Sequence, residues 1–83
     1  MSNALDILKE NVKVNEDLTY RERELDERFT AVDILSQTGV VFNLFFYVVD
    51  TKEAKVFYGD FTLPDGAVIE RILRHDEQPV TAA

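Results

Sequence analysis

The sequence predicts a small α+β domain. A three-stranded antiparallel meander, over about residues 29–36, 40–50 and 55–63, follows two short helices and precedes one C-terminal helix. Nine of the ten residues from Val40 to Val49 are apolar or aromatic, which is typical of a central, buried strand. The segments on either side of this run can pair with it through short turns. Apolar residues recur at helical spacing near both ends of the chain, which favours helices there.

The first helix is predicted over Ala4 to Val12. Ser2 or Asn3 can cap it, because a short polar side chain accepts a hydrogen bond from a free amide of the first turn. Leu5, Leu8 and Val12 share one side of this helix. That apolar side predicts contact with the sheet.

A second helix is predicted over Thr19 to Arg28. Thr19 and Glu22 have the spacing of a capping box, and Glu24 and Arg28 are four residues apart in the favourable order. The apolar stripe of this segment is thin, so the helix is expected on the surface. One alternative continues this helix as far as Gly39.

The other alternative makes Thr30 to Ser36 a strand, followed by a three-residue hairpin loop over 37–39. Placing Ser36 opposite Val40 pairs Thr30 with Phe46, Asp33 with Asn43 and Leu35 with Val41. The polar pair and the branched aliphatic pair each come together, as cross-strand pairing favours. This agreement favours the strand.

A second hairpin is predicted across the loop over residues 51–54. Its register places Asp50 opposite Lys55, an ion pair, and Tyr47 opposite Tyr58. It also places Phe46 opposite Gly59, where the ring can cover the bare backbone.

Pro64–Gly66 ends the third strand, and Asp65 can cap a last helix over Ala67 to Arg74. The sequence predicts one domain over residues 1–76 and a flexible tail over 77–83.

Composition narrows the function. The chain has no cysteine, so disulfides and thiolate metal sites are excluded. With 16 acidic and 9 basic side chains its net charge is −7, which predicts basic partners and no direct binding to nucleic acid or anionic membranes. Val40–Val49 is far shorter than the roughly 20 residues of a membrane helix. Met1–Leu8 lacks the pattern of a secretory signal, so a cytoplasmic protein is expected.

No catalytic, cofactor or metal site is predicted. His75 is the only histidine, and its place at a helix end suits a favourable charge there. Asp33 and Asp60 fall among aromatic residues on the two strands that flank the central one, and they could form an acid/base pair. They are better explained as residues in a solvent-exposed part of one face of the sheet. The three glycines are isolated, so no phosphate loop is present. The chain is therefore not expected to be an enzyme.

The first and last helices are expected to cover one face of the sheet. The reverse face is then rich in aromatic residues, which are typical of protein contact surfaces. The predicted protein-binding residues are Phe29, Phe45, Tyr47, Tyr58, Val41 and Val49. The charged helix, a second copy of the chain or another protein could cover this face.

The sequence therefore predicts a non-catalytic protein-interaction module that forms a homodimer. Such a module could serve as an accessory subunit, an adaptor or an inhibitor. An acidic mimic of nucleic acid, which would inhibit a DNA- or RNA-binding protein as small phage-encoded proteins do, is the alternative. Its surface would consist of Glu16, Asp17, Glu22, Glu24, Asp26 and Glu27. The nearby arginines offset half of that charge. A small-molecule binder would require a pocket beside the sheet.

Overall fold

The computed structural model of the chain describes residues 3–36, 45–74 and 78–80. These residues form an antiparallel sheet of four strands in the order β1-β2-β3-β4, with two helices. The elements along the chain are α1 (Ala4–Asn11), β1 (Thr19–Glu24), β2 (Phe29–Leu35), β3 (Phe45–Asp50), β4 (Lys55–Asp60) and α2 (Asp65–Arg74).

The helices predicted at the two ends of the chain are confirmed. Asn3 caps α1, since its side chain accepts a hydrogen bond from the Asp6 amide at 2.9 Å. Ile7 and Leu8 are buried against the sheet. The last helix, α2, begins at Asp65, two residues before the predicted start.

The predicted helix over residues 19–28 is wrong, because Thr19–Glu24 forms the edge strand β1, paired with β2 along its whole length. Its alternating residues have different partners. Arg21 and Arg23 both reach the buried carboxylate of Asp33 at 2.8 Å. Glu22, expected in a capping box, accepts the Leu5 amide of α1 instead. These tertiary contacts outweigh helix propensity, which amounts to tenths of a kcal/mol per residue.

The strand β2 is confirmed, but its predicted register against β3 is wrong by three residues. Thr30 lies opposite Val49 rather than Phe46. An odd shift exchanges the two faces of a strand, so Phe29 moves to the opposite side of the sheet from the one predicted. Arg28 holds the observed register through two hydrogen bonds to Asp50, at 2.7 and 3.0 Å. The predicted hairpin loop over 37–39 and the strand residues 40–44 lie outside the described residues.

The register between β3 and β4 is as predicted. Asp50 pairs with Lys55, Phe46 with Gly59, and the connecting turn occupies residues 51–54. The strand β4 ends at Asp60 rather than at residue 63.

Asp60 itself ends the strand. Its carboxylate accepts the Thr62 amide and hydroxyl, and its carbonyl accepts the Leu63 amide, which turns the chain toward α2.

The two helices lie on opposite faces of the sheet, not on one face as predicted. The α1 face buries Leu8 of the helix against Val32, Val49 and Val56. The α2 face buries a second cluster that consists of Phe29, Ala31, Phe46, Val48, Phe57, Val68 and Ile72. The reverse face that the sequence left open is therefore partly covered by α1.

Part of the predicted tail is attached to the sheet edge. The Val80 amide donates a hydrogen bond of 2.6 Å to the Val56 carbonyl, and its side chain packs on the α1-face cluster.

Candidate protein-binding surface

Three aromatic rings remain together on the α1 face, beyond the cover of the helix. Phe45 meets Tyr58 edge to face at 4.9 Å between ring centroids, and Tyr47 at 5.6 Å. Tyr47 and Tyr58 stack at 5.9 Å. Tyr58 is 58% exposed, whereas the other two are half-buried. We call Phe45, Tyr47 and Tyr58 the aromatic cluster.

The phenol of Tyr47 stays neutral over the physiological range. Burial raises its pKa, and the neighbouring phenols of Tyr58 and Tyr20 raise it further. Tyr47 therefore presents an uncharged ring with a hydroxyl group, which suits contact with a protein.

The other predicted protein-binding residues lie elsewhere. Phe29 is buried on the α2 face, and Val49 is buried beneath α1. Neither side chain can reach a partner. Val41 lies outside the described residues.

A groove of about 580 Å³ adjoins the aromatic cluster at the outer edge of β4. This volume is within the usual range for binding clefts, roughly 300–1,000 Å³. Its walls come from the start of β3, from β4, from the turn after β4 and from α2. They are formed by Phe45, Tyr58, Gly59, Asp60, Phe61, Thr62, Leu63, Val68, Arg71 and Ile72.

Asp60 carries a negative charge at the rim of this groove. Hydrogen bonds from the Thr62 hydroxyl and amide lower the pKa of its carboxyl group, and the positive charge of Arg71 contributes. It is therefore ionised at neutral pH. Phe61, 42% exposed, packs on the buried ring of Phe46 at 4.8 Å and adds an apolar wall.

Sequence reasoning missed the groove because it treated residues 60–63 as strand. A turn at Asp60 brings Phe61 and Leu63 toward α2 instead. The Asp-Phe-Thr segment before Leu-Pro-Asp-Gly carried one usable signal, since Asp two residues before Thr favours a side-chain turn.

The basic and acidic side chains of β1 alternate along the strand and therefore lie on opposite faces of the sheet. Arg21 and Arg23 point to the α2 side, where they bind Asp33, and Arg23 also lies over the Phe46 ring at 5.0 Å. Glu22 and the other five predicted decoy residues are exposed. None of these six carboxylates forms an ion pair within the described part of the chain.

Asp33 and Asp60 do not form an acid/base pair. Alternation along the strands places Asp33 on the α2 side and Asp60 on the α1 side. Asp33 is fully buried, and its Oδ1 atom has no hydrogen-bond partner. Over residues 3–36, 45–74 and 78–80, no three His, Cys, Asp or Glu side chains converge to hold a metal. His75 lies outside the described residues.

Comparisons with protein-family models, curated proteins and solved structures found no significant match. No helix within the described ranges is long and apolar enough to cross a membrane.

Proposed function

We propose that this chain is a non-catalytic protein-binding module whose contact surface is the aromatic cluster. The observation that supports this most is the exposure of Tyr58, 58%, on a ring that already contacts two other rings. Tyrosine is enriched among the residues that dominate binding energy at interfaces.

The cluster is organised before a partner arrives. Edge-to-face and stacked contacts hold each ring, and the rings stand on adjacent paired strands. A binding surface that is already ordered loses little side-chain entropy on association. This supports recognition by a rigid patch of rings.

The homodimer predicted from the sequence stays a prediction. A stable interface usually buries about 800 Å² on each partner. Because α1 covers Val49 and Val56, the described residues of the face on which that prediction rested leave only the three rings accessible. A compact contact with another protein is therefore the better-supported arrangement. Light scattering over a range of concentrations measures the molar mass and so tests for the homodimer.

Affinity capture from host cells, with wild-type and variant chains as bait, tests the proposal. Tyr58→Glu places a charge in the cluster and is expected to lose the captured partner. The Tyr58 side chain is mostly exposed, so the variant should still fold, which circular dichroism checks.

Leu73→Glu is the matched control, because Leu73 is 54% exposed on α2 and does not line the groove. It should retain the partner. Loss of the partner by the Leu73 variant together with retention by the Tyr58 variant would contradict the proposal.

The acidic mimic of nucleic acid is a second candidate, and one observation favours it. Arg21, Arg23 and Arg28 are engaged by the buried carboxylates of Asp33 and Asp50. The arginines therefore do not neutralise the exposed glutamates of β1, as the mixed sequence suggested.

Salt separates the two candidates. Contact through carboxylates should weaken steeply as salt rises, whereas contact through rings should change little. The acidic mimic is favoured if salt releases the captured partner, if DNA or RNA also displaces it, and if the Tyr58→Glu variant still binds it.

A further inference from the structure

We propose that the partner binds as an extended segment that adds a fifth strand to the outer edge of β4. Alternate side chains of this segment would contact the aromatic cluster on the α1 side and the wall of the groove formed by Leu63, Val68 and Ile72 on the α2 side. The inference rests on the proposed function, and it specifies the backbone conformation of the partner.

The edge of β4 carries backbone groups that point away from the sheet. Successive residues of a strand direct their amide and carbonyl groups to opposite sides. The Val56 carbonyl points outward, since it accepts the Val80 amide. The register is continuous from Lys55 to Asp60, so the Tyr58 amide and carbonyl and the Asp60 amide also point outward.

The chain already uses this edge once. Val80 donates to Val56 at 2.6 Å, so a backbone group outside the sheet reaches the β4 edge. Within the described part of the chain, no backbone hydrogen bond outside the strand ladder involves Tyr58. Strand addition to an exposed edge supplies such bonds and is a common mode of peptide recognition.

Apolar surface borders both sides of this edge. On the α1 side lies the exposed Tyr58 ring. On the α2 side, Leu63, Val68 and Ile72 line the groove. An added strand would place alternate side chains against each surface. The segment is therefore expected to have apolar residues on both faces.

Charge selects a foreign segment over a second copy of this chain. Each copy of the chain carries a net charge of −7, and a symmetric pairing of two β4 strands through the outward groups of Tyr58 and Asp60 would place both ionised Asp60 carboxylates within one short strand pair. Repulsion between these like charges opposes self-pairing. A Lys or Arg of the partner placed near Asp60 would instead be favourable.

Selection from a display library of random peptides of about 10 residues, longer than a typical strand, tests the inference. Enriched peptides should have a short run of consecutive apolar residues, so that both faces of the strand are apolar, and should carry a Lys or Arg. Hydrogen exchange by NMR should slow at the Tyr58 and Asp60 amides when they bind. Selection of no peptide, or of peptides with apolar residues at helical spacing, overturns the inference.

Synthetic versions of the best peptide then separate backbone from side chains. A version with methylated amides at the positions facing β4 keeps every side chain but cannot donate to the Tyr58 carbonyl. Its affinity should fall about tenfold for the lost bond. Unchanged affinity overturns strand addition and leaves the proposed function intact.

Two substitutions provide the same separation in the protein. Tyr58→Pro removes the outward amide, which the sheet does not use, and proline is tolerated at such edge positions. Tyr58→Val keeps the amide and removes the ring. If the Tyr58→Pro variant binds the peptide more weakly than the Tyr58→Val variant, strand addition is supported. An equal loss of affinity in the two variants overturns it. The methylated peptide decides the question if the Pro variant does not fold.

Discussion

Gly59 of β4 is the residue on which the Phe46 ring of the neighbouring strand β3 packs. The Phe46 ring lies on the bare backbone of Gly59, where a Cβ atom would overlap the ring carbons. Phe46 is 1% exposed, and its ring contacts the Arg23 guanidinium at 5.0 Å and the Phe61 ring at 4.8 Å. Movement of the ring would therefore disturb these contacts.

Gly59→Ala is accordingly expected to lower the free energy of unfolding by about 1–3 kcal/mol, the usual cost of overpacking a core. Urea denaturation followed by circular dichroism measures this change.

Gly66→Ala is the control for that experiment. Nothing lies within 4 Å of a Cβ atom at Gly66, which is in the first turn of α2. This variant should be neutral or up to about 1 kcal/mol more stable, because alanine favours helix. Equal destabilisation by the two substitutions would show that the Phe46 ring does not fill the space above Gly59.

Elements in this chain form by packing as much as by propensity. The last four residues of β1, Arg21–Glu24, are strong helix formers, yet Arg21 and Arg23 must lie on one side to reach Asp33. A strand places residues two apart on one side, whereas a helix does not. The buried charge of Asp33 therefore favours the strand.

Helix α1 covers the face of the sheet that would otherwise be open. Leu8 is fully buried against Val32, Val49 and Val56. Leu8→Ala should lower the free energy of unfolding by about 2–4 kcal/mol, since it removes apolar contact and leaves a cavity.

Thermal and urea unfolding test this value, with Leu73→Ala as the control. Leu73 is exposed on α2, and its truncation should change stability by no more than about 0.5 kcal/mol. A Leu8 variant as stable as the control would mean that α1 does not hold the sheet.

Across the whole molecule, an ion pair with a buried carboxylate joins two turns at one end of the sheet. Arg28, in the turn before β2, binds Asp50 at the end of β3. Burial of Asp50 opposes ionisation, but the hydrogen bonds from Arg28 and from the Glu53 and Lys52 amides outweigh it and lower the pKa of the carboxyl group. The same pairing raises the pKa of Arg28.

The sign of the pH dependence follows. A carboxyl group whose pKa is lower in the folded state stabilises it above the unfolded pKa of about 4, and this stabilisation is lost as pH falls through the folded pKa. Asp50→Asn should therefore cost about 2 kcal/mol at pH 7 and should reduce the decline of stability as pH falls below the unfolded pKa of about 4.

Glu53→Gln is the matched control, since this half-exposed carboxylate also contacts Arg28, at 3.3 Å. Its loss should cost no more than about 1 kcal/mol. Acid titration of the unfolding midpoint for both variants tests the assignment. An unchanged acid profile in the Asp50 variant would remove Asp50 from the pH response.

The sequence by itself determined the local features of this protein. The register of β3 against β4, the cap of α1 by Asn3, the presence of α2 and the cover of Gly59 by Phe46 follow from short turns and neighbouring residues. Each depends on contacts between residues close in the chain. The aromatic pair of Tyr47 and Tyr58 was found in this way. Asp65, predicted to cap α2, is instead its first residue.

Only the tertiary structure decided the rest. The strand β1, the three-residue shift between β2 and β3 and the placement of α1 and α2 on opposite faces depend on contacts between distant residues. Buried Asp33 and Asp50 recruit arginines that look like surface charges in the sequence. The groove depends on this tertiary arrangement, because its walls belong to strands and a helix that meet only in the folded chain.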